Sequence, residues 1–292
     1  MSGFDFTDKV ILVTGGAGGI GSDLCRRFAS GGARCVVVDL DGVRAMKLAA
    51  ELPGGGHTGI GCDLMDRTQV QRLFEVVADE HGRLDVLVNN VGMTSAERFD
   101  VRSVESIERE IALNLTSPLI ATRIAIPLLL ASRDARVVTT VSLGGIFPLG
   151  ETPIYTASKF GLRGAMLSIG LDLRSKGILA GSVLPSATDT RMLRQEAVEG
   201  GNSLQFQDPP QQPADVVAAV VSLLDRPRLE AYPRPAESRL VRFAMLVPNL
   251  LPRVLPLFRK RGDRGMARYL EELRRRGLAR RTDGRWELVE EA

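Results

Sequence analysis

A serine, a tyrosine and a lysine in the middle of the chain have the types and the spacing for proton transfer. Ser142 precedes Tyr155 by 13 residues, and Lys159 follows Tyr155 at i+4, one turn along a helix. A phenol can take the proton from a substrate hydroxyl or return it, and a nearby ammonium favours the charged phenolate. We predict that the three side chains meet, with Tyr155 as acid/base, Lys159 as its electrostatic support and Ser142 holding the substrate oxygen.

A glycine-rich segment near the beginning of the chain predicts a dinucleotide site. The apolar run Val10–Val13 leads into Gly15, Gly19 and Gly21, and a helix is expected from about Ile20. Glycines let backbone N–H groups approach a pyrophosphate, and the positive end of the following helix attracts it. A merely flexible turn is the alternative, but it leaves the flanking strand and helix unexplained.

Asp39 ends the second apolar run, Cys35–Val38, and lies 18 residues beyond Gly21. A carboxylate at this position would accept hydrogen bonds from both ribose hydroxyls of adenosine and would repel a 2′-phosphate. No Lys or Arg lies between Gly15 and Gly21 to receive that phosphate, although Arg44 is near in sequence. The sequence therefore favours NAD as the cofactor, with NADP as the alternative.

Polar residues also follow the third and fourth apolar runs. Asp63 could bond the adenine amino group with Leu64 packing beside it, or it could cap the predicted helix Val70–Glu80. In Asn89-Asn90-Val91-Gly92 the amide side chains can tie strand ends together, and Gly92 permits close approach of a cofactor. A simple turn would use the same residues, so both interpretations stay open at this point.

Short apolar runs alternate with longer helical stretches over most of the chain. Runs of Val, Ile and Leu that are apolar throughout are typical of parallel strands covered on both faces. We predict an α/β fold: a single doubly wound parallel-sheet Rossmann-type domain over residues 1–232, with a mobile lid at about 190–213, and a helical C-terminal extension over 233–292. The predicted strands are Val10–Val13, Arg34–Val38, Gly59–Cys62, Asp85–Val88, Arg136–Val141, Leu179–Leu184 and Leu229–Tyr232.

Composition and cysteine use predict a compact cytoplasmic protein. The 292 residues, 44 % of them apolar, can fill a sizeable core. Cys25, Cys35 and Cys62 lack metal-ligand spacing, so we expect buried free thiols rather than a disulfide or a zinc site. No metal is expected. The polar, acidic segment from Met1 to Lys9 predicts neither a secretory signal nor an N-terminal anchor.

The C-terminal extension carries the positive charge of the chain. Residues 226–292 hold 17 Lys and Arg against 9 Asp and Glu, but no nucleic-acid-binding motif accompanies them, so nucleic acid is not an expected partner. Leu240–Phe258 is apolar but interrupted by Pro and Arg, which excludes an uninterrupted membrane span. Packing on the body or on a partner subunit is expected, with peripheral membrane contact through 240–261 as the alternative. Met266–Arg281 is predicted to be a solvated amphipathic helix.

Together these motifs resemble the short-chain dehydrogenase/reductase family over about residues 1 to 232. The resemblance implies a nicotinamide cofactor and a catalytic group of Asn114, Ser142, Tyr155 and Lys159. It also implies a homodimer or homotetramer built through the helices that carry Asn114 and Tyr155. The matching pieces are Thr14-Gly15-x-x-x-Gly19-x-Gly21, Asp63, Asn89-Asn90-Val91-Gly92, Asn114, Ser142, Tyr155-x-x-x-Lys159, and Pro185 with Thr190.

The segment after the sixth predicted strand is expected to contact the nicotinamide. Thr188 and Thr190 would lie near its carboxamide, and Thr190 can also cap the next helix. The chain departs from the family pattern at Val91, which replaces Ala, and at Ser186, which replaces Gly and restricts the backbone. The residues expected to bind the cofactor are Gly15, Gly19, Ile20, Gly21, Asp39, Leu40, Asp63, Leu64, Asn90, Gly92, Tyr155, Lys159, Pro185, Thr188 and Thr190.

The predicted function is NAD-linked interconversion of a lipophilic secondary alcohol and its ketone by hydride transfer. Asn114 would position water that connects Lys159 with solvent. The alternatives are a noncatalytic NAD(H)-binding interaction protein and an NADP-dependent ketone reductase. An apolar small-molecule substrate is favoured by the residues expected around its oxygen, which are Leu143, Phe147, Pro148, Ile154, Met192 and Leu193.

Overall fold

In the computed structural model, which describes residues 3–289, a seven-stranded parallel sheet lies between two layers of helices. The strands are β1 Val10–Thr14, β2 Arg34–Asp39, β3 Thr58–Gly61, β4 Val86–Asn89, β5 Arg136–Thr140, β6 Leu179–Val183 and β7 Glu230–Ala231. Their order is β3-β2-β1-β4-β5-β6-β7, so the predicted doubly wound Rossmann-type fold class is confirmed. The order reverses direction at β1 and β4, which opens a crevice at the carboxyl ends of these strands.

Both faces of the sheet are covered because its central strands are apolar throughout. Along β1, Ile11 and Val13 join one apolar core while Val10 and Leu12 join the other, as the two-residue period of a strand requires. The helices are α1 Gly19–Ala29, α2 Gly42–Glu51, α3 Arg67–His81, α4 Val104–Ile111, α5 Ser117–Leu130, α6 Pro153–Asp172, α7 Arg191–Val198, α8 Pro213–Asp225, α9 Pro235–Ala244 and α10 Leu251–Arg275. Helices α1, α2 and α8 close the first core, and α3, α5 and α6 close the second.

Local chemistry sets where the helices near the crevice begin and end. Asp41 caps α2 and Asp66 caps α3, each by accepting hydrogen bonds from two backbone N–H groups of the first turn. Helix α3 ends at Gly82, whose φ of 67° is left-handed and therefore favours glycine. Since Asp66 fills the cap position, the alternative interpretation of Asp63 as the cap of this helix is wrong.

Helices α4 and α5 form one continuous helical run, Val104–Leu130, through the π-helical segment Ala112–Thr116. Among the described residues it is the one unbent run that is long and apolar enough, by length and composition, to cross a membrane. Its inner face packs on the sheet, where Ala121, Ala125 and Leu129 are buried in the second core. The apolar character of this run is therefore that of a core helix.

The secondary structure of the C-terminal extension differs in part from the prediction. The helix predicted over Met266–Arg281 ends at Arg275, because the chain turns at Gly277, whose φ is 72°. A hairpin follows instead, with left-handed backbone at Asp283 and Gly284 in its turn, an Asp-Gly pair that favours two-residue hairpins. Its antiparallel strands are β8 Ala279–Thr282 and β9 Arg285–Leu288.

A third apolar core joins the extension to the segment expected to be a lid. Leu193 and Ala197 of α7 pack with Phe206 and with Tyr269 and Leu273 of α10. The segment 199–213, the larger part of the predicted mobile lid, contains one turn of 3-10 helix at 203–206 and the buried residues Asn202, Phe206 and Gln211. It is packed, although its Gly and Pro content is typical of a loose loop, because α10 covers it.

Candidate active site

A cavity of about 410 Å³ opens at the carboxyl ends of the central strands. Its walls come from the turn after β1, from the ends of the neighbouring strands, and from α6 and α7. This is where open α/β sheets bind cofactor and substrate. The sequence-predicted residues that line the cavity are Gly15, Gly19, Ile20, Asp39, Leu40, Asp63, Leu64, Asn90, Gly92, Ser142, Tyr155, Lys159, Pro185, Thr188 and Thr190.

The turn between β1 and α1 depends on two glycines. Gly15 has a φ of 61°, in the left-handed region that glycine adopts without strain. A β-carbon on Gly21 would overlap the Gly15 carbonyl oxygen, so Gly21 supports the cavity wall from behind and lets α1 start close to the turn. Gly19 and Ile20, the first residues of α1, line the cavity. A helix N-terminus in this position is suited to bind phosphate.

The Asp39 carboxylate is held toward the glycine turn. It accepts hydrogen bonds from the backbone N–H of Ala17 at 3.1 Å and of Asp41 at 3.3 Å. Arg44 donates to the Ala17 carbonyl oxygen at 3.1 Å, so its guanidinium is engaged with the same turn. A negative charge is thereby fixed at the end of β2, where dinucleotide-binding sheets place the acid that receives ribose hydroxyls.

Side-chain amides tie the central strand ends together, as predicted. The Nδ2 of Asn89 donates to the Thr139 hydroxyl of β5 at 3.4 Å and to the Thr122 hydroxyl of α5 at 2.9 Å. Asn90 links β1 and β5, because its backbone N–H donates to the Thr14 hydroxyl at 3.0 Å and its Oδ1 accepts from the Thr140 hydroxyl at 3.2 Å. These bonds hold the floor of the cavity in register.

Asp63, at the far side of the cavity, is held by its own loop. Its Oδ1 accepts the backbone N–H of Met65 at 2.9 Å, and its own N–H donates to Gln69 at 3.0 Å. Leu64 beside it is buried in the second core. The carboxyl group thus lies at the cavity in a fixed position, and its contact with adenine stays a prediction.

Tyr155 lies on α6 beside Ser142, since a β-carbon on Gly144 would lie 3.1 Å from the Tyr155 Cε1 and 3.3 Å from the Ser142 Oγ. Burial raises the pKa of Tyr155 to about 12; the Ser142 hydroxyl opposes this rise, and the nearby Glu196 and Glu110 add to it. The Oγ of Ser142 accepts the backbone N–H of Gly144 at 2.9 Å, which fixes the hydroxyl. Serine and tyrosine therefore meet as predicted, and the phenol is neutral at physiological pH.

Lys159 is buried one turn after Tyr155. Its Nζ lies 5.6 Å from the centroid of the Tyr155 ring and donates to the Thr140 carbonyl oxygen at 3.4 Å. Burial lowers the pKa of Lys159 to about 8, while Glu110 acts in the opposite direction. Glu110 is itself buried and paired with Arg102. Sequence reasoning missed this acid, because nothing in its local pattern distinguishes it from a surface residue of α4.

Asn114 lies in the π-helical segment and is fully buried. Its amide exchanges two hydrogen bonds of 2.8 Å with the backbone of Met93 and donates to the Ser158 hydroxyl at 3.2 Å. A β-carbon on Gly92 would lie 3.6 Å from the Asn114 Oδ1 and 3.5 Å from the Lys159 Nζ. Ser142, Tyr155 and Lys159 thus line one end of the cavity, and Asn114 lies behind the cavity residue Gly92 in a π-helical turn, a feature that is frequent at functional sites.

Comparison with known proteins agrees with this arrangement. The family model described as short chain dehydrogenase matches residues 9–199. The chain belongs to the short-chain dehydrogenase family. D-threitol dehydrogenase of Mycolicibacterium smegmatis is 32% identical over 193 residues, which cover 65% of this chain and 74% of that protein. A 3beta-hydroxysteroid dehydrogenase of Mediterraneibacter gnavus is 30% identical over 201 residues, 66% of this chain and 71% of that protein.

Solved structures of short-chain dehydrogenases share the fold. One from Burkholderia phymatum, in complex with NAD, superimposes with a TM-score of 0.77 at 22% identity and covers 85% of this chain and 96% of that chain. The family membership and the assembled site together make the protein an oxidoreductase. The family match ends at residue 199, so helices α8, α9 and α10 and the hairpin lie beyond it.

The C-terminal extension of this short-chain dehydrogenase reaches the site through Asp189. The buried Asp189 carboxylate accepts hydrogen bonds from Arg194 at 2.8 Å, from the Tyr269 hydroxyl at 2.7 Å and from Arg276 at 2.6 Å. Burial alone would raise the pKa of Asp189, but these three donors outweigh it and lower the pKa. Since Thr188 and Thr190 beside it line the cavity, α10 fixes part of the cavity wall. No local pattern could have revealed partners 80 and 87 residues away.

The substrate side of the cavity is more polar than predicted. Met192 and Leu193 line it as expected, and Thr152, Glu196 and Gln205 line it as well. The expected contacts at the other apolar positions are wrong, because Leu143 packs against the second core and Ile154 is buried in the body. The cavity lining found among the described residues does not include Leu143, Phe147, Pro148 and Ile154.

Several polar groups at this side were not predicted. Burial raises the pKa of Glu196 to about 7, although its Oε1 accepts hydrogen bonds from Gln205 and from the backbone of Asn202. The hydroxyls of Thr152 and Ser186 are buried without a hydrogen-bond partner among the described residues, and both residues line the cavity. Ser186 has no left-handed backbone, so it fits without strain where the family pattern has glycine. Unpartnered buried hydroxyls of this kind are suited to bind a ligand.

The part of the chain that the structure describes contains no group of side chains arranged to bind a metal ion. Within residues 3–289 no group of three His, Cys, Asp or Glu side chains converges as a metal site requires. The three cysteines, Cys25, Cys35 and Cys62, are buried free thiols.

Proposed function

We propose that the protein interconverts a lipophilic secondary alcohol and its ketone with NAD as the hydride carrier. The observation that carries this proposal is the convergence of Tyr155, Ser142 and Lys159 at one end of a cavity whose other end is formed by the glycine turn and Asp39. A cofactor that spans the cavity would bring its reactive ring to the phenol. The residues therefore fit a nicotinamide dinucleotide.

The chain's own residues would handle the proton. When bound, the nicotinamide supplies or accepts the hydride. The Ser142 hydroxyl holds the substrate oxygen beside Tyr155, and the phenolic oxygen takes the hydroxyl proton during oxidation or returns it during reduction. The buried ammonium of Lys159 stabilises the phenolate, and Asn114 positions the water that connects Lys159 with solvent.

NAD is the proposed cofactor because of the charge at the end of β2. The Asp39 carboxylate is held toward the cavity by two backbone donors and would accept both ribose hydroxyls. A 2′-phosphate in the same place would face this negative charge. Arg44, which could otherwise receive that phosphate, is engaged with the Ala17 carbonyl oxygen.

The proposed substrate has an apolar skeleton and a second polar group. Leu149, Met192 and Leu193 supply the apolar wall, while Thr152 and Glu196 supply hydrogen-bonding groups near Tyr155. The two curated relatives described above are named for D-threitol and for a 3beta-hydroxysteroid, a polyol and a largely apolar alcohol. The Thr152 hydroxyl is buried without a hydrogen-bond partner among the described residues, which favours a substrate that bonds it.

A homodimer or homotetramer is proposed to form through the α4–α5 run and α6. The run carries apolar residues that stay half-exposed although several of them also contact the second core; these residues are Ile107, Ile111, Leu115, Leu119, Ile124 and Leu128. Half-exposed apolar residues along a helical run of this length are typical of an obligate subunit contact. We also propose a cytoplasmic location, since a reducing compartment keeps the three buried thiols free.

A panel of steroidal, terpenoid and aliphatic secondary alcohols, with and without a second hydroxyl, tests the proposal. NADH formation is measured with each alcohol, and NADP⁺ is tried in parallel. We expect turnover with NAD and the highest kcat/KM for a lipophilic alcohol with a second hydroxyl. Tight NAD binding with no turnover across the panel would instead favour a noncatalytic NAD-binding protein.

A further inference from the structure

The junction of α9 and α10 exposes a cluster of large apolar side chains, here called the apolar tip. Helix α9 is separated by residues 245–247 from the helical run Pro248–Arg275, which contains α10, and the two are bent by 88°. Phe243, Leu246 and Leu257 are 72%, 73% and 76% exposed. The other members of the apolar tip are Leu240, Val247, Leu250, Val254 and Phe258, each exposed by 39% or more.

A cluster of this kind is costly to leave in water. Each exposed Leu or Phe side chain forgoes the favourable free energy that burial would provide. Single exposed apolar residues are normal, but contiguous patches rimmed by polar groups mark surfaces that contact something else. The apolar tip is therefore a contact surface, and its rim indicates the kind of partner.

The rim of the apolar tip is basic. From Pro235 to Gly265 the chain has seven Lys and Arg against two Asp and Glu. Three of these cations, Arg239, Arg253 and Lys260, are exposed and take part in none of the ion pairs found within residues 3–289. They are therefore available to an anionic partner.

We propose that the apolar tip docks onto the surface of an anionic lipid bilayer. Apolar side chains would enter the boundary between headgroups and acyl chains, while the cations contact anionic headgroups. The bend excludes a straight span. A second copy of the chain is disfavoured, because a two-fold contact pairs the same surface with itself and would bring the basic rims together.

The docked surface adjoins the cavity. Arg259 of α10 pairs with Glu151 at 2.6 Å, next to the cavity residue Thr152. The backbone carbonyl oxygen of Phe258, a member of the apolar tip, accepts from Gln207 at 3.0 Å, two residues after the cavity residue Gln205. This consequence rests on the proposed function: if the substrate is lipophilic, docking would place the cavity beside a membrane in which the substrate is dissolved. The docking proposal itself does not depend on the proposed function.

Flotation with vesicles tests the docking. The full-length protein is mixed with phosphatidylcholine vesicles, with and without about one third phosphatidylglycerol. Two triple variants are compared: Phe243→Ser with Leu246→Ser and Leu257→Ser, and Arg239→Gln with Arg253→Gln and Lys260→Gln. The control removes two strongly exposed apolar residues elsewhere, Val43→Ser with Phe99→Ser.

We expect the wild type and the control to float with anionic vesicles. The charge variant should bind on the order of 100-fold more weakly, at roughly fivefold per cation lost, and the apolar variant at least about tenfold more weakly. Wild type that fails to float, or flotation unchanged in both triple variants, would overturn the proposal. So would an apolar variant that floats normally but sediments as a smaller oligomer, since the partner would then be a second copy. NADH formation, measured on the same samples without vesicles, reports separately on the proposed function.

Discussion

At the scale of single residues, burial and charge divide the proton chemistry between Tyr155 and Lys159. Burial raises the pKa of Tyr155 to about 12 and lowers the pKa of Lys159 to about 8. The phenol is therefore protonated in the free protein, which is the form that gives a proton to a ketone oxygen. The phenolate needed for oxidation has to be stabilised by positive charge from Lys159 and from the oxidised nicotinamide.

The two directions of the reaction should therefore respond differently to pH. NADH formation requires Tyr155 to lose its proton, so its initial rate should rise with pH up to about 8, where Lys159 begins to lose the charge that stabilises the phenolate. Ketone reduction uses the protonated phenol, whose pKa of about 12 lies far above this range, so its rate should stay nearly constant from about pH 6 to about pH 8. Initial rates at saturating cofactor and substrate check this, and parallel profiles in both directions would contradict the assignment of Tyr155 as the acid/base.

Asp39 should decide between the two cofactors. Asp39→Asn removes the negative charge from the end of β2, so we expect the ratio of kcat/KM for NAD to that for NADP to fall by at least about tenfold. Asp41→Asn is the matched control, because it removes a charge two residues away and keeps an Asn that can cap α2. Equal ratios in the two variants would show that the Asp39 carboxylate does not select the cofactor.

Glu196 should make the stability of the protein depend on pH. Its folded-state pKa of about 7 lies above the ordinary value of 4.5, so between these pH values the folded protein binds more protons than the unfolded chain. The free energy of unfolding therefore falls as pH rises from about 4.5 to 7. The glutamine in Glu196→Gln is neutral at every pH. We therefore expect the free energy of unfolding of this variant to exceed that of the wild type by on the order of 2 kcal/mol at about pH 8 but not at about pH 4.

Urea unfolding at the two pH values measures this difference. Glu75→Gln, which removes an exposed carboxylate of α3, is the control and should show no such gain. A Glu196→Gln variant that is equally stable or less stable than the wild type at about pH 8 would mean that Glu196 is not a buried carboxylate with a raised pKa.

At the scale of elements, the extension holds one wall of the cavity. Helix α10 approaches the segment 203–206 closely, since a β-carbon on Gly262 or Gly265 would overlap the carbonyl oxygens of Ser203 and Phe206. The ring of Tyr269 packs against Phe206 at 5.3 Å between centroids. An element beyond the family match therefore shapes a part of the site that substrate would touch.

The Tyr269 hydroxyl should matter for both stability and substrate affinity. Tyr269→Phe leaves the buried Asp189 with one donor fewer, which costs about 1–3 kcal/mol in the free energy of unfolding and loosens the cavity wall beside Thr188. We expect a severalfold higher KM for the alcohol and a severalfold higher Kd for NAD, because Thr188 is also expected to contact the nicotinamide. Tyr232→Phe also removes a hydroxyl bound to a carboxylate, at Glu230, but lies outside the cavity lining found in the described region, so its KM should not change. Equal KM effects in both variants would contradict a role of α10 in the site.

The elements of the sheet could be predicted because their signals are local. The β1 run is apolar throughout since it is covered on both faces, and the glycines that follow it are dictated by a left-handed φ and a close contact. The terminal hairpin also had a local signal, which is the Asp283-Gly284 pair. The helical pattern of the residues that precede this pair favoured a longer helix instead. The packing of the segment 199–213 had no such signal, because α10 imposes it from about 60 residues away.

At the scale of the whole molecule, charge and apolar surface divide the chain into two unlike parts. Residues 226–292 carry a net charge of +8 in a chain whose total is +3, so the part with the sheet is acidic. The cavity lies where the two parts meet. Binding to an anionic surface through the extension would therefore orient the molecule as well as attract it.

The site itself was predictable only in part. Tyr155 and Lys159 share one helix and the glycines share one turn, so spacing alone brings them together. Thr152, Glu196 and Asp189 belong to no spacing pattern, and each acquires its importance from burial and from partners that only the folded chain supplies. The proton-transfer end of the cavity follows from local sequence, whereas the polarity of the substrate end follows from tertiary packing.

NADH formation by the wild type and by Tyr155→Phe, with a secondary alcohol that the wild type accepts, is the most direct test of the account. Phenylalanine keeps the ring and removes the acid/base oxygen, so we predict that kcat falls by on the order of 1000-fold while the Kd for NAD, measured by titration, stays within about threefold. Comparable NADH formation by the two proteins would contradict proton transfer by Tyr155 and, with it, the proposed mechanism.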